Sequence, residues 1–421
     1  MLKNYFKIAW RNVRKNKLYA ILNITGLAAG MAIAMLIGLW VADEWQFNKQ
    51  FDNYRRIGWV YQHIQNNGET GTGLNMPFPV TATLRKDFSS YIKYAVVCTW
   101  DQTHVLSQGE RRLTATGIYS EPDLPRMLTL KMRAGGSRLT EPNTILLSES
   151  QAKACFGNED PLNKTLMVDN KTAVVVAGVY KDMPANSSFS SVGFILPWAL
   201  YARQQELDKN DNPWRSNSYR ALVQIAEHTT MQQVSALIKD VKLKNIHKDE
   251  LSFHPQLFLF PMSRWHLYAE FKNGVNVGGF IKYVWLFSIS GVFILLLACI
   301  NFMNLSTARS GKRAREVGIR KVIGSQRSQL MCQFFSESLL SLWQLLSKDF
   351  IILVVIALAI ACPVAYYAMA IWLQHYAYHT AVPWWVFPAA GIGTLCITLL
   401  TVSWQAVKAA VMNPVKSLRS E

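Results

Sequence analysis

The chain has 421 residues, a net charge of +17 from 44 Lys+Arg against 27 Asp+Glu, 50% hydrophobic residues and only 17% charged ones. A disordered basic tail would be poor in apolar residues, a nucleic-acid-binding domain would spread more charge over a basic face, and a soluble enzyme would carry about a quarter charged residues. Low charge, 14 Trp and a large positive excess instead indicate a membrane protein with its charge confined to a few places, no nucleic acid as partner, and about two to three domains.

Residues 1–17 contain Lys3, Lys7, Arg11, Arg14, Lys15 and Lys17 and no acid. Their charge of +6 marks them as a cytoplasmic flank of the membrane segment that follows. Residues 18–42 carry no charge and form the first expected transmembrane helix, since a crossing needs about 20 apolar residues. A cleaved signal peptide is the competing reading, but the uncharged run is longer than the roughly 7–15 residues of such a segment. Gly26, Gly30 and Ala34 recur every four residues. That spacing suits a small-residue packing face, and it suits ordinary lipid-facing positions equally well.

Residues 43–282 are long enough for a core of their own. Asn143–Ser148 and Thr172–Tyr180 read as strands, the second rich in β-branched residues. Glu149–Phe156 reads as a short helix that Ser148 could cap and Gly157 end. Thr230–Lys242 places Met231, Val234, Leu237, Ile238 and Val241 at helical spacing. The mixture is α+β. Cys98 and Cys155 are the two cysteines of this interval, and the six in the chain are no disulfide framework. A Cys98–Cys155 bond is open in an oxidising compartment, and the sequence does not settle it.

Residues 283–308 are a second uncharged run. Residues 309–349 hold eight Lys/Arg and three acids, and 350–407 are again uncharged. That last run is too long for one crossing. It divides into a third helix at 350–373, a polar aromatic loop at 374–384 and a fourth helix at 385–407. Pro363 and Pro388 fall inside these helices, where neighbours can satisfy the freed carbonyls. The tail, 408–421, is basic. The positive-inside rule puts 1–17, 309–349 and 408–421 in the cytoplasm and 43–282 outside. The expected fold is four transmembrane α-helices with a large α+β domain inserted between helices 1 and 2.

Enzymatic signatures are missing: there is no GxSxG, HExxH or CxxC, and no GxxxxGK[ST] phosphate loop. His375 and His379 are spaced i, i+4 and could share a metal, but half-polar rings among Tyr and Trp are also at home at a membrane interface. The uncharged runs offer no Asp, Glu, Lys or Arg, which argues against an ion-coupled carrier. The chain therefore reads as non-catalytic, with no cofactor or metal of its own.

The most patterned run follows the second uncharged stretch, from Asn301 through Arg309, Lys312 and Arg313 to Ser325. A stop-transfer flank explains its Lys and Arg. It does not explain Glu316, Gly318, Arg320, Lys321 and Gly324, a short basic-apolar segment bracketed by glycines. The run Arg315–Gly324 resembles the signature of FtsX/MacB-like permeases of ABC transporters. Phe6–Asn12 with Asn16-Lys17 resembles the amphipathic entry helix of that family, which implies such a helix over 1–17, and Asn23–Gly30, Thr144–Gly157, Gly178–Ser187 and Asn413–Arg419 resemble further parts of it.

The resemblance implies a permease subunit in the bacterial inner membrane, with both termini cytoplasmic. It would pair with a second permease copy or half and with a cytoplasmic ABC ATPase dimer that binds the ATP and Mg. Arg315, Glu316, Gly318, Arg320, Lys321 and Gly324 would form the ATPase-coupling element. Residues 43–282 would be a MacB-like periplasmic core domain. The cargo would be amphiphilic, a peptide or a lipoprotein, and a periplasmic adaptor or hydrolase is a further candidate partner. The alternatives are a mechanical transmitter that regulates a periplasmic cell-wall enzyme, and a truncated remnant of a two-half permease. The remnant reading rests on Gln333–Leu340 and Gln344–Phe350, which resemble the start of helix three in a first and in a second half.

Overall fold

The computed structural model describes residues 17–307, 339–374 and 384–397. Two compact units result: an α+β unit of Asp43–Tyr283, and a helical unit formed by the segments before and after it.

Thirteen strands among the described residues join one sheet in the α+β unit, and it nearly parts in the middle. One lobe is antiparallel. It pairs Ile57–Asn66 with Tyr219–Ile225 and Gln256–Pro261, and Tyr219–Ile225 with Ile92–Cys98. Helices Pro79–Asp87 and Met231–Ile238 bury Val80, Leu84, Val234 and Ile238 with Val60, Ala95, Ala221, Val223 and Leu259 of these strands. The helix expected at 230–242 thus holds over Met231–Ile238, and Thr230 closes its N-terminus in a reciprocal capping box with Gln233.

The other lobe is built around Thr172–Tyr180, parallel to Thr144–Ser148 and antiparallel to Thr165–Val168. The strand expected at Thr172–Tyr180 forms as read, and the one expected at Asn143–Ser148 forms over Thr144–Ser148. So does Glu149–Phe156: Ser148 Oγ accepts from the Gln151 amide, and Gly157 ends the helix at φ +66°. Gly178 is required where the strand bulges, since a Cβ there would lie 2.3 Å from the Gly136 carbonyl. Between the lobes, strands Ile92–Cys98 and Arg111–Ser120 share a single residue pair, Cys98 with Ser120.

In the helical unit, Ile21–Gln46, Ile281–Asn301 and Leu353–Ile371 are each long and apolar enough to cross a membrane. A fourth apolar helix is described over Val386–Ile397; the rest of the span expected at 385–407 lies outside the described residues. The third helix runs Leu339–Gln374, so it begins well before the span expected at 350–373 and includes residues 344–350. A helix keeps its hydrogen bonds internal and needs no membrane boundary to end on.

The small-residue face on the first helix is a packing face. A Cβ on Gly30 would fall 2.4 Å from Ala298 Cβ, and one on Gly26 3.5 Å from Asn301 Nδ2. Farther along, a Cβ on Gly291 would meet Ile37 at 3.1 Å. The partner numbers fall as the first helix advances, so helices Lys17–Gln46 and Ile281–Thr307 run antiparallel. Leu27, Met31 and Met35 then bury against Cys299, Val354, Ala357, Ala361 and Ala365.

Candidate functional site

The α+β unit is fastened at both ends of its chain. At its start, Asp43 Oδ1 accepts a 2.9 Å bond from Asn186 Nδ2. Asn48 is fully buried with φ +64°, a left-handed backbone that Asn tolerates better than most residues. Its amide N–H donates to the Asn186 carbonyl at 2.9 Å and its Nδ2 to Ser188 Oγ at 2.9 Å. Its Oδ1 accepts from the Ser188 amide at 2.8 Å. One residue thereby satisfies three polar groups of the 186–188 loop, one through its backbone and two through its side chain, that burial would otherwise leave unpaired. Phe189, next along, inserts among Phe51, Trp59 and Trp265.

His266 joins the beginning of the unit to its end. Its Nε2 pairs with the Glu44 carboxylate. Phe47 stacks on its ring at 3.8 Å with the planes 6° apart, and Phe280 approaches from another side at 5.2 Å. The neighbouring Leu267 carbonyl accepts from the Ile281 amide at 3.0 Å, at the first residue of helix Ile281–Thr307. Residues 43–46 are the last of helix Lys17–Gln46. The 265–267 turn and the 186–188 loop therefore hold the residues at which one apolar helix ends and the next begins.

A second constellation crosses the weak point of the sheet. Glu121 accepts a bidentate pair from Arg85 at 2.8 and 2.5 Å and a 2.8 Å bond from the Val97 amide. The hydrogen-bonded carboxylate raises the Arg85 pKa above its ordinary value. Arg220, nearly buried, donates to the Thr99 carbonyl at 3.1 and 2.7 Å and to Asp101 at 2.9 Å. Its guanidinium also lies over Trp59 and Trp100, at 5.2 and 4.9 Å. These two arginines strap the lobes together where the strands share one residue pair.

Neither constellation has the form of a catalytic centre. No group of three or more His, Cys, Asp or Glu able to hold a metal occurs among the described residues. Asp182 caps the helix at Ser150, accepting from its amide at 3.0 Å and its hydroxyl at 2.6 Å. Lys242, 3% exposed, donates to Gln62 Oε1 and Asn217 Oδ1 at 2.6 Å each, and burial pulls its pKa down to about 8.

The residues read as the coupling element, Arg315, Glu316, Gly318, Arg320, Lys321 and Gly324, lie outside the described residues, as do His375 and His379. Cys98 and Cys155 are unpaired. They are buried in two different cores, one centred on Trp59 and Phe189, the other on Val174 and Phe194. Burial pushes the Cys98 thiol up to about 11. The Gly178–Ser187 run, noted in the sequence only as a resemblance, supplies Asp182 and Asn186. Asn48, Glu44 and His266 had no signal beyond polar residues placed just after one uncharged run and shortly before another.

The MacB-like periplasmic core domain matches residues 20–241, and the FtsX-like permease C-terminal domain matches residues 288–414. A macrolide export ATP-binding/permease protein, MacB of Aggregatibacter actinomycetemcomitans, is 24% identical over 80% of this chain and 50% of its own length. The ABC transporter permease YknZ of Bacillus subtilis is 28% identical over 32% of this chain and 30% of its own length. The chain thus spans about half the length of the first of these curated relatives. The periplasmic region of MacB from Actinobacillus actinomycetemcomitans superposes with a TM-score of 0.35 at 23% identity, covering 51% of this chain and 94% of that one.

Proposed function

The chain belongs to the family of membrane permeases of ABC transporters that join a MacB-like periplasmic core domain to an FtsX-like permease domain, and from that premise we propose that it is the membrane subunit through which a separate cytoplasmic ABC ATPase moves the α+β unit. The observation that carries this reading is the fastening of both chain ends of the α+β unit. Asn48–Asn186, Asp43–Asn186 and Glu44–His266 lock the end of one apolar helix into it, and Leu267–Ile281 locks the start of the next. Residues 43–46, the last of the first apolar helix, are held by part-buried polar contacts to these loops, so a shift of that helix end would pull on the loops that hold it. Displacement of the helices would thus reach the outer unit as motion.

In this reading the chain crosses a bacterial inner membrane four times with both termini cytoplasmic, and residues 43–282 lie in the periplasm. A second permease copy completes the assembly. ATP and Mg are bound by the ATPase dimer, which meets Arg315–Gly324 on the cytoplasmic side. Arg320 and Lys321 face acidic groups of the ATPase there. The cargo is amphiphilic, a peptide or a lipoprotein. Purification of the full chain in detergent should bring down an ABC ATPase with ATP hydrolysis activity. Arg320→Glu with Lys321→Glu should abolish that capture, and retention of the ATPase by the double variant would overturn the assignment of the coupling element. A cell-wall hydrolase captured instead through residues 43–282 would favour mechanical signalling over export.

A further inference from the structure

The hairpin Glu270–Lys272 and Val275–Gly278 precedes helix Ile281–Thr307 and forms a two-stranded sheet apart from the main one. Its turn is Asn273-Gly274, with φ +48° and +76°, the pair of positive angles that a tight two-residue turn demands. Successive strand residues point to opposite faces. Phe271 and Asn276 are cross-strand partners and share the inner face. Phe271 packs at 5.4–6.0 Å from Tyr61, Phe258 and Phe260. The Asn276 amide donates to the Tyr268 carbonyl and accepts from Arg264 at 3.1 Å. With these two fixed inward, Lys272, Val275 and Val277 must face outward. Val275 is 64% exposed and Val277 39%, and Phe280 beyond them is exposed as well.

Two exposed valines on one face of a small sheet are a poor arrangement for water, and their position supplies the reason. Val277 lies four residues before Ile281, within about 14 Å of it at full extension, and Ile281 opens a segment apolar enough to cross a membrane. The hairpin is also held to that helix start. Glu270 pairs with Lys282 at 2.9 Å, and Ile281 donates to Leu267 at 3.0 Å. A Cβ on Gly279 would crowd Ala269, Glu270 and Leu267 at 3.3 Å, so the connection is close-packed. Tyr283 and Trp285, exposed in the first turns of the helix, are residues that favour the membrane interface.

We infer that this hairpin is a membrane-surface anchor. Val275, Val277 and Phe280 sit in the headgroup layer of the leaflet that helix Ile281–Thr307 enters, and Lys272 lies among the lipid phosphates. The helix already holds the hairpin at the surface, so a small apolar area is enough to keep it there. The anchor fixes the height of the 265–267 turn above the lipid. The inference rests on Ile281–Asn301 being a membrane span.

The test uses the full chain, reconstituted alone in vesicles of phosphatidylethanolamine and phosphatidylglycerol. A benzophenone amino acid replaces Val275 or Val277 in turn, with Phe293, exposed in the middle of the helix, and Asn158, exposed in the α+β unit, as reference positions. After illumination, positions 275 and 277 should yield lipid adducts as position 293 does, and position 158 should yield none. Lipid adducts at 293 but none at 275 and 277, or cross-links there to a second copy of the chain, would overturn the anchor and leave the span standing. No adduct at 293 would bring down the span and the anchor together.

Discussion

Asn48 shows how much one residue carries at the start of the α+β unit. It combines a left-handed backbone with three hydrogen bonds to the 186–188 loop. Asn48→Ala strips the side-chain bonds and leaves buried partners unpaired, at about 1–3 kcal/mol, and puts at positive φ a residue that tolerates it less well than Asn. Asn48→Gly removes the same bonds without that conformational cost, so its loss should be the smaller of the two in thermal unfolding. Lys242 gives a pH signature. Its pKa falls from 10.5 to about 8 in the folded chain. Between about pH 8 and 10.5 the unfolded chain therefore binds the extra proton, and this group makes stability rise with pH across that window. Below pH 8 both states are protonated and its contribution is flat. Lys242→Met should remove the rise, as read from unfolding midpoints taken across the window.

Among the elements, the contact between helices Lys17–Gln46 and Ile281–Thr307 depends on residues with no side chain to spare. Gly30→Ala would place its Cβ 2.4 Å from the Ala298 Cβ. The helices must separate or tilt, at a cost of roughly 1–3 kcal/mol. Gly393→Ala is the matched control in Val386–Ile397, because nothing lies within 4 Å of its added Cβ. Folded yield in detergent should fall for the first and hold for the second. The strands and caps of the α+β unit were open to reading because their signals are local. Thr172–Tyr180 is rich in β-branched residues, and Ser148 and Gly157 bracket Glu149–Phe156 with the residue types those positions need. The 186–188 loop was open to reading only as a resemblance. Its partner Asn48 is 138 to 140 residues away, and no local pattern encodes a contact at that separation.

For the whole α+β unit, the sheet is continuous between its two lobes through a single strand residue pair, flanked by two arginines and backed by a shared core that joins Trp59, Val96 and Leu222 to Ile118, Tyr180 and Ile195. Arg220→Ala should leave the hydrophobic cores intact and raise hydrogen exchange at Cys98, Thr99 and Ser120, since Arg220 holds the Thr99 carbonyl. An unchanged exchange pattern would show that the pairing of Cys98 with Ser120 holds without its strap. Cys98 and Cys155 are buried in separate cores. Both should stay unreactive to a maleimide reagent in the folded chain and label only on unfolding, with no disulfide found under non-reducing conditions.

Charge and hydropathy along the chain were sufficient by themselves for the membrane character and for a separate unit between two apolar runs, while the family was legible only as a resemblance carried by Arg315–Gly324 and its companion runs. The first two depend on how many apolar residues stand in a row and on which residues flank them, and both are written linearly. Tertiary structure alone decided that Gly26 and Gly30 pack against a second helix rather than face lipid, and that two cysteines stay apart. It alone brought Asn48, Asn186, Glu44 and His266 together at the ends of the α+β unit. Each of these is a contact between residues far apart in the chain. Whether such residues meet is fixed by the packing of the intervening core, and a residue's own neighbours in sequence carry no record of it.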